Sequence, residues 1–220
     1  MRTPFIFGNV ATKLLLLLAF LFANTALGQT SAAVADATPT LSESTEYHGF
    51  RVDDHLLSAQ QKAVFLPSFI KQLMIVESVG LPVEALDFFR GIPIVVDPTL
   101  WEMPGQYTGT GIVRVQPVPM AGNKPILLHE LLHAYHQKIV SLQNQDVIRA
   151  YQKEKQPGVF PANFQSAHFL ENNREYFAVT ASIFLFGDIQ QPPFNCVIVA
   201  KNDPEYLAFL AGLFGPHPCK

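Results

Sequence analysis

Ten consecutive residues, Ile126 to Tyr135 (ILLHELLHAY), constrain this chain more than any other stretch. Ile126, Leu127, Leu128, Leu131, Leu132, Ala134 and Tyr135 cover nearly every face of a helix, and a helix that is apolar all round has to be buried. Burial takes His129, Glu130 and His133 inside with it. Two histidines and a carboxylate without partners in an apolar interior are costly, so the fold must supply a partner. Histidines four apart share one helical face, one turn apart, where their ring nitrogens can converge on a single zinc ion. Glu130, beside the first histidine in the pattern HExxH, is then placed to act as general base toward a water whose pKa zinc lowers to about 7.

A catalytic zinc keeps three protein ligands and one open position, so a third ligand is required. His136 stands seven residues after His129, but three ligands on one straight helix do not readily surround an ion. It is expected to back the site or to lie in solvent. The position where a metzincin carries its third histidine is Ile139. Glu171 and Glu175 remain, one turn apart at the start of the run NNREYFAVTASIFLF, which is expected to be a helix from about Asn172 to Phe186. Small and apolar residues after Glu175 would press this helix against the first and turn the Glu175 carboxylate toward the metal. Glu175 is therefore the expected ligand and Glu171 a solvent-facing residue. The competing role for Glu175 is that of capping-box partner to Asn172.

HELLHAYH, followed after about 35 residues by ENNREYFAVTASIF, resembles the zinc metallopeptidases that join HExxH to a glutamate opening an E-[FY]-F-A signature. That group includes the anthrax lethal factor catalytic domain and the Mlc titration factor peptidases. The resemblance covers roughly residues 91–186. It implies an α+β zincin-like domain with a small mixed sheet, Zn2+ on His129, His133 and Glu175, Glu130 as general base, and a peptide or protein substrate. Two positions depart from the pattern. His136 stands where relatives carry an aspartate, and His168 stands where some use a tyrosine to stabilise the oxyanion. His168 is thus the expected oxyanion donor, with Tyr107 and Tyr176 as alternatives.

The rest of the chain frames this site. Arg2 and Lys13 precede the run Leu14 to Phe22, and Ala26 and Gly28 follow it, which reads as a signal peptide over residues 1–28. The expected product is periplasmic or secreted. The apolar run is too short for a comfortable membrane span. Removing it takes two cations with it and moves the net charge from -3 to -5, which leaves no basic footprint for nucleic acid. Residues 29–46 read as a flexible linker and 47–220 as one metallopeptidase domain. In an oxidising compartment Cys196 and Cys219 are expected to pair.

Residues 56–79 carry one or two helices, with Pro67 as a break or kink, and residues 91–96 a buried strand. Residues 97–111 read as a long loop opened by Asp97-Pro98. The strand Ile112 to Val118 is expected at a sheet edge, because Pro117 cannot donate to a ladder, and there it could pair with an extended peptide. Asn123 is the expected N-cap of the HExxH helix, with Pro125 in its first turn. Residues 143–161 read as loop, and a last helix runs from Asp203-Pro204 to Phe214. The rival to hydrolysis is a silent binding or envelope protein that retains a metal, and the intact Glu130 argues against it.

Overall fold

The computed structural model describes residues 44–101, 103–187, 189 and 194–216. The expected signal peptide, most of the linker and Cys219 lie outside them. The first described strand, β1 (Thr45–Tyr47), begins two residues inside the stretch expected to be linker. It turns through His48 and Gly49, both at positive φ, into β2 (Phe50–Asp53). Helix α1 (Ala59–Ser78) starts on a capping box, in which the Ser58 side chain accepts the Gln61 N–H and the Gln61 side chain accepts that of Ser58. Phe65, Phe69, Leu73 and Val76 form its buried stripe, and they hold the helix continuous through Pro67. One missing N–H is a smaller loss than exposing two phenylalanines, each worth about 1.5–3 kcal/mol when buried.

Helix α2 (Val83–Gly91) leads into β3 (Ile94–Val96), as the run GIPIVV suggests. The chain then forms β4 (Gly105–Tyr107) and β5 (Val113–Val115). The sheet order is β1-β2-β3-β5-β4. The β2–β3 and β3–β5 pairs are parallel and the two outer pairs antiparallel. This corrects two expectations. The strand at Val113–Val115 lies between β3 and β4 rather than at an edge, with Pro117 beyond its end, and the edge on that side is β4, inside the stretch read as loop. Asp97 does organise a turn, accepting from the N–H and hydroxyl of Thr99 and pairing with Arg114.

The HExxH helix, α3 (Ile126–Tyr135), packs on α1, α2, β4, β5 and α5. Its start is not capped by Asn123. Gln72 of α1, fully buried, donates to the carbonyls of Ala121 and Lys124 and accepts the Leu127 N–H. A side chain 55 residues away thus satisfies a helix N-terminus that carries no side-chain cap of its own. At its other end α3 widens into a π turn, His136–Val140, closed by Ser141 at φ 80. Helix α4 (Gln145–Glu154) follows, capped by Asn144, where loop was expected.

Helix α5 (Asn173–Phe186) carries Glu175 and is buried along most of its length. Two further helices, α6 (Cys196–Asn202) and α7 (Pro204–Phe214), close the described chain. Asp203 caps α7 by accepting the Tyr206 N–H, and the Tyr206 hydroxyl meets Thr180 Oγ1 of α5 at 2.9 Å. The architecture is α+β, a small mixed sheet against an HExxH helix and a downstream glutamate-bearing helix. No helix among the described residues is long and apolar enough to cross a membrane.

Candidate metal centre

Helical periodicity brings His129 and His133 together on α3. Their Nε2 atoms are 3.1 Å apart and their rings meet edge to face, centroids 4.6 Å apart. Glu175 arrives from the first turn of α5. Asn172 caps that turn by accepting the N–H groups of Arg174 and Glu175, which frees the Glu175 carboxylate to turn toward α3. Glu175 Oε2 lies 3.3 Å from the Nε2 of each histidine. The three atoms form a nearly equilateral triangle with edges of 3.1, 3.3 and 3.3 Å. A tetrahedral ion with bonds of about 2.0–2.1 Å sets its ligand atoms about 3.3 Å apart, so the donor set fits a zinc-type ion.

A second observation agrees. Glu175 Oε2 is buried and makes no aligned hydrogen bond, although three imidazole nitrogens surround it. Short contacts without hydrogen-bond alignment are what atoms show when they face a common third point. Burial pushes the Glu175 carboxyl up, but the three histidines outweigh it and hold the group far below the usual carboxylate range.

Glu130 is buried beside this triangle. Its Oε2 accepts the backbone N–H of Tyr107, on edge strand β4, at 2.8 Å. Burial raises its pKa, opposed by His129 and by that N–H. The approach of β4 is close enough that any side chain at Gly105 would press on the helix. A Cβ at Gly105 would stand 3.0 Å from Glu130 Cγ and 3.3 Å from Ile126 Cγ2. A cleft of about 180 Å³ opens between β4 and the histidines, lined among others by Met103, Gly105, Tyr107, Glu130, His168 and Glu175.

The remaining expected residues fall in several places. His168 is at the site, its Nε2 2.8 Å from Glu175 Oε2 and its Nδ1 hydrogen-bonded at 2.9 Å to Glu171 Oε1. Its pKa is raised to about 9, chiefly by Glu175. Glu171 is exposed, as expected of it, and serves His168. Tyr107 lines the cleft. Tyr176 does not. Its ring is buried among Tyr151, Phe194 and Tyr206. His136 is neither a ligand nor a surface residue. The π turn carries it into the core, stacked on Phe177 at 4.6 Å, where burial pushes its pKa down to about 4. Sequence reasoning did not find Gly105, the Tyr107 N–H or Gln72, because each acts through a contact distant in sequence.

No family model matches this chain, and no curated protein matches it. Among solved structures it is similar to the Pro-Pro endopeptidase PPEP-2 from Paenibacillus alvei. The identity is 18%, the match covers 74% of this chain and 96% of that one, and the TM-score is 0.47.

Proposed function

We propose that the protein is an exported zinc-dependent peptidase, with the ion held by His129, His133 and Glu175. The observation that carries this reading is the 3.1, 3.3 and 3.3 Å triangle with the Glu130 carboxylate fixed beside it. Zinc held by His129, His133 and Glu175 would supply Lewis acidity toward a scissile carbonyl and the attacking water. Glu130 holds Oε2 on the Tyr107 N–H and keeps Oε1 for the proton, accepting it from the water and passing it to the departing amine. Burial of Glu130 supports this, since a raised pKa brings a carboxylate nearer to the proton affinity of its partners. Edge strand β4, which forms one side of the cleft, is where an extended peptide would lie. Export rests on the signal-like first 28 residues.

The test pairs metal content with cleavage of a mixed peptide library. The parent is expected to hydrolyse peptides, to stop with a chelator and to recover with zinc. Glu130→Gln is expected to lose hydrolysis and keep its zinc. Undiminished hydrolysis by Glu130→Gln would falsify the mechanism.

A further inference from the structure

Of the histidine, glutamate and arginine side chains that line the cleft, Arg174 is the one whose charge is not engaged among the described residues. His129, His133 and His168 face Glu175, and Glu130 accepts the Tyr107 N–H. The Arg174 guanidinium is exposed and makes no ion pair or hydrogen bond with any described residue. The helix does not call for a cation there. Arg174 is the second residue of α5, where the macrodipole disfavours positive charge, and it adjoins Glu175, which already faces three imidazoles. Its backbone N–H is taken by Asn172, so the guanidinium and not the helix end is what meets an incoming group. The backbone beside it is fixed, because Asn173 donates to the carbonyl of Leu142, another residue of the cleft wall, at 3.2 Å.

Resting on the peptidase reading above, we propose that Arg174 selects substrates with a carboxylate near the scissile bond, supplied by an aspartate or glutamate side chain or by the peptide's own C-terminus. A guanidinium presents paired N–H donors that match the two oxygens of a carboxylate. Arg174 and Glu175 are consecutive, with Cα atoms about 3.8 Å apart, and an extended peptide advances about 3.3 Å per residue, so the carboxylate belongs within about three residues of the bond that is cut. With a divalent ion in place the charges lining the cleft sum to a positive value, on a chain whose net charge is -3, which favours the same substrates. A peptide lying in the cleft covers the guanidinium, and exclusion of water strengthens a pair that would count for little on an open surface.

Three pools of random peptides, otherwise free of aspartate and glutamate, test this on the zinc-loaded full chain. One pool carries glutamate at a fixed central position and capped ends, the second carries glutamine there, and the third carries glutamine with a free C-terminal carboxylate. The parent is expected to cleave a carboxylate pool about tenfold faster in kcat/KM than the capped glutamine pool, the scale of a hydrogen bond to a charged group. Cut sites should lie at a constant distance from the carboxylate, and which of the two carboxylate pools is preferred identifies its source. Arg174→Met is expected to bring the pools to parity, and Arg174→Lys to keep part of the preference, since an ammonium lacks the planar fork. Rising salt should shrink the preference of the parent. Equal cleavage of all pools by the parent overturns the assignment, as does a preference that survives in Arg174→Met. Retention of the same pools on immobilised, zinc-loaded Glu130→Gln protein decides the point without turnover. Carboxylate peptides retained in preference there, and not once Arg174→Met is added, support the assignment, and equal retention overturns it. A parent that retains the carboxylate peptides yet cleaves none would overturn the peptidase reading alone.

Discussion

Replacing Gly105 by alanine tests whether β4 sets the position of Glu130, the proposed general base. The added Cβ would stand 3.0 Å from Glu130 Cγ and 3.5 Å from its Oε1. Carbon atoms in contact prefer about 3.5–4.0 Å, so the neighbour must give by a few tenths of an ångström. Glu130 cannot absorb it freely, because its carboxylate is tied to the Tyr107 N–H on the same strand at 2.8 Å. Ile126 Cγ2, at 3.3 Å, blocks a second direction. Displacing a catalytic group by an ångström can cost about a hundredfold in rate, so a shift of a few tenths should lower kcat/KM roughly 3- to 10-fold. That equals about 0.7–1.4 kcal/mol of lost transition-state stabilisation. Zinc content should stay at parent level, because His129, His133 and Glu175 are not among the nearest atoms to the new methyl group. Overpacking should lower stability by about 1–3 kcal/mol, visible in a thermal melt. Gly122→Ala is the control, with no atom within 4 Å of its Cβ. Parent-level turnover in a folded, zinc-loaded Gly105→Ala protein would refute the claim that the strand positions the base.

Three other expectations can be checked directly. Gln72→Leu removes the partners of the Leu127 N–H and of the Ala121 and Lys124 carbonyls and should cost roughly 2–5 kcal/mol in urea unfolding; equal midpoints would show that the contacts carry no weight. Glu175→Gln should weaken zinc binding while circular dichroism stays unchanged, and undiminished affinity would remove Glu175 from the ligand set. His136 has a folded pKa depressed to about 4 from 6.5, so the unfolded chain binds a proton before the folded one does. The stability this confers is complete above pH 6.5 and is lost as the pH falls toward 4, by roughly 3 kcal/mol. With chelator present throughout, His136→Phe should lack that slope, and parallel stability curves for parent and variant between pH 4 and 7 would contradict the assignment.

The parts of this molecule that were legible in its sequence are those written in contiguous periodicity. Helix α3 follows from apolar residues around HExxH, α5 from Asn172 and the run after Glu175, and α7 from Asp203-Pro204. The approach of Glu175 to the histidines was legible because burying small residues such as Ala178 and Ala181 requires close helix packing. Strand β4 was hidden because three residues, Gly105, Gln106 and Tyr107, carry no alternation of their own and become a strand only by pairing with β5. Helix α4 was missed because only Val147, Ala150 and Glu154 are buried, so its surface polarity imitates a loop. The burial of His136 depends on a π turn, for which the local sequence offers no signal.

The three hydrogen bonds of Gln72 also bear on how the cleft can move. They fasten the start of α3 to the middle of a 20-residue helix, so the HExxH wall can shift only if α1 shifts with it. His168, which lines the same cleft, ends a segment with less burial. Residues 155–168 are largely exposed, and Phe160, against Phe169 and Phe194, is their buried anchor. Low burial and exposed backbone mark the segment before His168 as the part expected to open locally before α1 and α3 do. Hydrogen exchange should report that asymmetry as slow amides along α1 and α3 facing fast ones between Lys155 and His168.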